Sequence, residues 1–199
     1  MLVAHCGARP TVHETAYVAP NAVLSGDVTV GENSVILFGA VITAEGGAVN
    51  IGSECIIMEN AVIRGAPKHP ARLGHRVLVG PHAHLTGCTV ADEAFLATGV
   101  TVFNGVRLGR SVEVRINGIV HVNSVLAPNA VVPIGWVAVG NPAAILPPDQ
   151  HEEIWRIQRS MDFAGTVFGM DRSVPQGERT RRYARALLRH RQDRLIPQA

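Results

Sequence analysis

A six-residue beat constrains this chain more than any other feature. From Thr11 to about Val139, short units place an aliphatic residue ahead of a Gly, Ala or polar residue. Examples are Ala16-Tyr17-Val18, Ala22-Val23-Leu24, Val28-Thr29-Val30-Gly31, Val49-Asn50-Ile51-Gly52, Arg72-Leu73-Gly74, Leu78-Val79-Gly80 and Arg107-Leu108-Gly109. A short fixed period has to be recognised before helices or strands are assigned, because it decides the whole fold. Six residues are too few for a helix pair but suit one short strand and a turn. Three units make one triangular coil, and successive coils pair in parallel around a continuous aliphatic column. Aromatic residues are only 5% of the chain, against a core of small aliphatics, which disfavours a sandwich filled with large rings. The expected class is all-β, a parallel β-helix of hexapeptide repeats.

The beat breaks twice, at Ala44-Glu45-Gly46-Gly47 and at Gly65-Ala66-Pro67-Lys68-His69-Pro70. Such insertions project as loops on one face of a solenoid, often the binding face. The composition then changes after Leu146-Pro147-Pro148, which divides the chain into a β-helix domain, 1–147, and a C-terminal α-helical extension, 148–199. In the extension Asp149 can cap a helix reaching about Met161, with Glu152 and Glu153 in its first turn and Ile154, Ile157 and Met161 on one side. Residues 163–169 read as a Gly-punctuated apolar linker. A second helix from Glu178 to about Arg194 carries seven arginines against Glu178 and Asp193, with Tyr183, Leu187 and Leu188 available to dock it. A solvated basic face is the expectation there, and a patch for an anionic partner is the alternative.

At 199 residues and 47% hydrophobic, the chain can bury a substantial core. No early stretch is flanked like a signal peptide and no run approaches the roughly 18 apolar residues of a membrane span, so a cytoplasmic protein without membrane or nucleic-acid partners is expected. Cys6, Cys55 and Cys88 have no paired spacing and read as buried free thiols. Of the nine histidines, His82 and His84 stand one residue apart in VGPHAHLTGCT (residues 79–89), where Val79, Ala83 and Leu85 read as core.

Around that stretch the sequence resembles the γ-class carbonic anhydrases. The resemblance spans roughly residues 11–147 and is best in GDVTVGEN (26–33), GCTVADEAFLATG (87–99) and VAVGNPA (137–143). It implies a left-handed β-helix, a homotrimer, and a zinc held by three histidines across a subunit interface. Laid residue by residue, those ligand positions are Arg64, Pro81 and Thr86, none of which supplies an imidazole. The family's Arg-Gly-Asp reads Thr43-Ala44-Glu45, and its Gln-Asp reads Met58-Glu59. Robust carbon dioxide hydration is therefore not expected, since the zinc-bound hydroxide needs those ligands.

Strand alternation suggests what replaces the site. With Ala83 and Leu85 inward, His82, His84 and Thr86 would share the outward face. Same-face neighbours lie about 7 Å apart, a span two imidazoles can close on one metal. His69 on the nearby loop would complete a zinc set of His82, His84 and His69, with Arg64, Thr86, Glu45 and Glu59 as candidate catalytic residues. Two readings of the histidines stay open beside this one: hydrogen-bonded interface residues, and an acid or base in a metal-free site. Arg64 reads either as a fixed cation for a carboxylate, bicarbonate or phosphate, or as an ion-pair partner of Glu45 or Glu59. His121 reads as an interface or surface residue. His5, His13, His75, His151 and His190 read as surface positions. Three functions remain in play: a metal-dependent lyase or hydrolase on a small carbonyl or carboxylate substrate, a coenzyme-A-dependent acyltransferase, and a catalytically silent trimeric scaffold.

Overall fold

The computed structural model describes residues 1–196. Strands of two to four residues alternate with corner turns from Leu2 to Leu146 and stack into three parallel sheets, one ten-stranded and two seven-stranded. The chain is a left-handed parallel β-helix. Each sheet contributes one inward column. In the first sheet it runs Leu24, Ile42, Ile63, Leu85, Val102, Val120 and Ala138, each paired in register with the next and fully buried. The other two columns are Val30–Ile51–Leu73–Val90–Leu108–Leu126 and Val18–Ile36–Ile57–Val79–Leu96–Val114–Val132. Burying each such side chain contributes about 1.5–3 kcal/mol. A column of aliphatics with no polar member therefore pins the register of every coil, because a one-residue slip would turn it to solvent.

The corners have their own logic. One line of corners holds Asn60, His82, Gly99, Asn117 and Gly135, all at positive φ. The left-handed region is cheap for Gly and is populated most by Asn, Asp and His among the other residues, which explains what stands there. Glycine is also forced where coils come closest: a Cβ on Gly52 would collide with the Gly74 carbonyl. A second corner carries an exposed charge ladder, Glu54–Arg76–Glu93–Arg110.

The extension does not trail away. Strand Ala144–Leu146 folds back antiparallel on Val137–Val139, and α1 (His151–Gln158) packs against that edge with Ile154 buried. Asp149 does not cap α1; Gln150 precedes it with no side-chain cap. Residues 163–168, read above as linker, form a short helix, α2 (Phe163–Phe168). Asp162 accepts from the Gly165 N–H at its start, and Gly169 closes it in the left-handed conformation. Helix α3 (Gln176–Leu187) and a 3-10 turn (Leu188–Gln192) follow, and strand Arg194–Ile196 pairs antiparallel with Leu2–Ala4. Strands Ala144–Leu146 and Arg194–Ile196 are thus the two outermost strands of the ten-stranded sheet, and they pair the edges that the last and first coils would otherwise leave open to foreign strands. Among the described residues, no helix is long and apolar enough to cross a membrane.

Candidate functional site

The outward face of the first sheet carries two side-chain columns. Val62 pairs with His84 and Arg64 with Thr86 across adjacent strands, and Val41 and Thr43 lie one coil before. Thr101 and Ile119 extend the His84 column. Phe103 and His121 lie farther along on the Arg64 side, with ring centroids 6.0 Å apart. Both columns follow directly from the repeat spacing. What roofs one of them does not: α2 and α3 lie over Arg64, Thr86, Phe103 and His121 and enclose a cavity of about 390 Å³.

Arg64, His84, Thr86 and Glu45 line this cavity together with His69 from the second insertion and Phe103 from the next coil. The Arg64 guanidinium donates to the Tyr183 hydroxyl at 2.6 Å and stands 3.7 Å from Glu45. His84 Nε2 lies 3.0 Å from Thr86 Oγ1. Burial, and then the Arg64 charge, lower the His84 pKa below its ordinary value of 6.5, so the ring is neutral at pH 7. Glu45 is 5% exposed and accepts from Arg189 at 2.9 Å and from His190 at 2.8 Å. Burial pushes its carboxyl up, but the Arg189 hydrogen bond and the fields of His190 and Arg64 outweigh that, and its pKa lies below the usual value. Arg189 also lines the cavity and keeps a buried Nε–H without an acceptor among the described residues. Buried donors are rarely left unpaired, so this one marks a place for an acceptor.

Several expectations need correction. His82 does not lie on a strand: the strand begins at His84, and His82 occupies the corner at φ 57°, exposed, its N–H bound to the Glu59 carbonyl. Side-chain alternation therefore cannot bring it beside His84. His69 stands at the opposite end of that strand, where a Cβ on Gly87 would press against it. Among the described residues, the three that do converge are His5, Glu45 and His190, with ligand atoms within 4.8 Å of one another. His69, His82 and His84 form no such group within one protomer. Glu59 sits in the corner turn one coil before that of His82 and, among the described residues, has no ion pair with Arg64, whose carboxylate neighbour is Glu45.

The family's zinc positions do not fit a zinc either. Arg64 and Thr86 face each other across the sheet, and Pro81 has no donor side chain. A guanidinium has donors only and no lone pair to offer, so Arg64 cannot serve as a ligand there.

The isolated histidines also divide differently from expectation. His5 is buried at 3% exposure and belongs to the C-terminal network, as does His190. His121 is buried at 6% exposure, beneath Phe163, with neither ring nitrogen hydrogen-bonded among the described residues. Cys55 and Cys88 are buried free thiols, Cys88 with its pKa pushed up to about 12 by burial, but Cys6 is exposed. Of the basic extension, Arg181 and Arg182 pair with Glu178 on an exposed face, while Tyr183 and Leu187 dock over the cavity and Leu188 stays half exposed. No sequence signal marked Arg189, His190 and Asp193 as partners of residues at the other end of the chain.

A family model described as bacterial transferase hexapeptide (six repeats) matches residues 9–44. A mitochondrial γ-carbonic anhydrase 1 of Arabidopsis thaliana is 36% identical over 157 residues, covering 76% of this chain and 55% of the relative. A carbonic anhydrase of Geobacillus kaustophilus is 25% identical over 162 residues, covering 80% of this chain and 86% of the relative. This chain spans about half the length of the Arabidopsis relatives it matches. Among solved structures, a hexapeptide transferase family protein from Anaplasma phagocytophilum superposes with a TM-score of 0.51 at 27% identity, covering 81% of this chain and 92% of that one. A Bacillus cereus protein described as a putative acetyltransferase gives 0.54 at 23% identity, covering 82% and 93%, a likeness of fold alone.

Proposed function

We propose that this chain, similar to γ-carbonic anhydrases over about three quarters of its length, uses its cavity to bind a small carboxylate or carbonyl compound rather than to hydrate carbon dioxide. The observation that carries this reading is the pair of guanidinium groups, Arg64 and Arg189, on one enclosed cavity with Glu45 as their shared carboxylate and one N–H unspent. Guanidinium matches a carboxylate in shape and charge, and in a recess it is worth more than in open water. The neutral His84 and the Thr86 hydroxyl stand beside Arg64 as proton acceptor and hydrogen-bond partner for the same ligand. Phe103 and Leu187 supply apolar wall for its carbon skeleton. No metal is assigned to this pocket.

In this reading the protein works as a homotrimer. An outward apolar ladder supports it, Tyr17–Val35–Ile56–Leu78–Phe95 in register on the third sheet, beside the mixed column Val41–Val62–His84–Thr101–Ile119 on the first. Tyr17, Ile56 and Phe95 are each about 40% exposed or more, and a closed head-to-tail ring covers one column with the other.

Calorimetric titration with bicarbonate, acetate and four-carbon dicarboxylates tests the pocket. Binding by the native protein that falls at least tenfold in Arg64→Ala is expected, together with no carbon dioxide hydration above background. Equal binding by Arg64→Ala removes the proposal. A hydration rate that scales with zinc removes it too. The competing acyltransferase reading has one specific support, His69 on its insertion loop in the same cavity as His84. A thermal shift with acetyl-coenzyme A, lost in His69→Ala, would favour it. Absence of any ligand in both experiments would leave the scaffold.

A further inference from the structure

The C-terminal segment closes on the first coil through six side chains, of which His5, Cys6, His190 and Asp193 do not line the pocket while Glu45 and Arg189 border it. His5 Nδ1 lies 2.6 Å from one oxygen of Asp193, and His190 Nδ1 lies 2.8 Å from the other. The two imidazoles stack with centroids 4.4 Å apart. His190 Nε2 points at Glu45 Oε1, 2.8 Å away, while Arg189 holds Glu45 Oε2. The Cys6 sulfur stands 3.2 Å from His5 Nε2. Residues from opposite ends of the chain and from the first insertion loop meet here.

We propose that His5, Glu45 and His190 form a transition-metal site, zinc by donor type, which staples the C-terminal segment to the first coil. The donor atoms already lie within 4.8 Å of one another, and bonds of about 2.0–2.1 Å need donors roughly 3.3 Å apart, a gap that small side-chain rotations close. Asp193 engages the Nδ1 of both rings, which fixes the tautomer that leaves each Nε2 for the metal. Metal-ligating histidines are almost always held this way by an outer carboxylate. The donor set is two imidazoles, one carboxylate oxygen and an adjacent thiol, which suits tetrahedral zinc. Arg189 does not compete, because it occupies the other Glu45 oxygen.

The two ring nitrogens of His190 face carboxylate oxygens of Glu45 and Asp193. The arriving ion binds through the Nε2 lone pair, so a proton on that nitrogen leaves to solvent as the bond forms. A Cys6 thiol that joins as fourth ligand releases a second proton. The groups facing the ion are then Glu45 and Asp193 against Arg189 and Arg64. Binding weakens as pH falls, since protons compete for the same nitrogen.

The test is titration of the purified full chain, stripped with chelator, with Zn2+ and separately with Co2+. One ion per chain is expected, with the visible absorption of four- or five-coordinate cobalt and one or two protons released per ion by calorimetry in buffers of different ionisation enthalpy. His190→Ala and His5→Gln should each abolish the spectrum, and Asp193→Asn should weaken binding about 10- to 100-fold. His84→Ala should leave it intact, which separates this site from the carboxylate pocket. Native protein that takes no cobalt, or gives only the octahedral spectrum, overturns the proposal. So does a spectrum unchanged in a folded His190→Ala variant. If that variant fails to fold, the native proton count and coordination spectrum decide alone.

Discussion

At the scale of single residues, two neutral histidines govern how this protein answers to acid. His84 and His121 both titrate below the ordinary 6.5, His84 through burial and the Arg64 charge, His121 through burial. The unfolded chain therefore takes up these protons first, and their contribution to stability is present above about pH 6.5 and is lost progressively as pH falls below it. Urea unfolding followed from pH 7.5 to 5.5 should show the midpoint decline. In Arg64→Ala the His84 midpoint, read by proton NMR, should move up toward its ordinary value; no movement would mean that the guanidinium field does not reach the ring. His121 gains nothing from its polarity, with both nitrogens unpaired beneath Phe163. His121→Leu should raise stability by about 1–3 kcal/mol, because an unsatisfied buried polar group gives way to an apolar side chain of similar volume. A destabilised variant would instead indicate that the imidazole finds a partner in solution.

Among the elements, the segment from Leu188 to Ile196 behaves as a latch. It reaches back to the first coil through backbone pairing with Leu2–Ala4 and through Asp193 and Glu45. In both carboxyl groups burial raises the pKa, but the opposing bonds win: those to His190 and His5 at Asp193, and the Arg189 bond with the His190 and Arg64 charges at Glu45. With folded values below the ordinary 3.8 and 4.5, their stabilisation is present above about pH 4.5 and is lost as pH falls through the lowered values. Hydrogen exchange on residues 188–196 should therefore accelerate below about pH 4 before the coils themselves exchange. Glu45→Gln should bring that opening to neutral pH. Simultaneous exchange of latch and coils would show that the latch is not an independent unit.

Over the whole molecule, the three inward columns hold the coils, while the third sheet turns the apolar ladder Tyr17–Val35–Ile56–Leu78–Phe95 outward. Phe95→Glu, in the middle of the third-sheet ladder, should shift the mass measured by light scattering from three chains to one at micromolar concentration. The fold should survive, because Phe95 contributes nothing to the inward columns. A native protein already monomeric at that concentration would end the trimer reading. How much of this was legible in the sequence follows from the range of the interactions. The repeat fixed the coils, the inward columns and the register that sets Arg64 beside Thr86 and Val62 beside His84, because each depends only on spacing along the chain and on the cost of exposing aliphatics. The same spacing misplaced His82. Alternation holds only inside a strand, and the corner lies outside it, at a positive φ that hexapeptide spacing alone does not reveal. The roof over the cavity, the burial of His5 and the convergence of Glu45, His190 and Asp193 were beyond any local pattern. They arise because the extension travels the full length of a sheet and pairs with the first strand, so residues nearly a whole chain apart meet only once the coils have stacked and two unpaired sheet edges need covering.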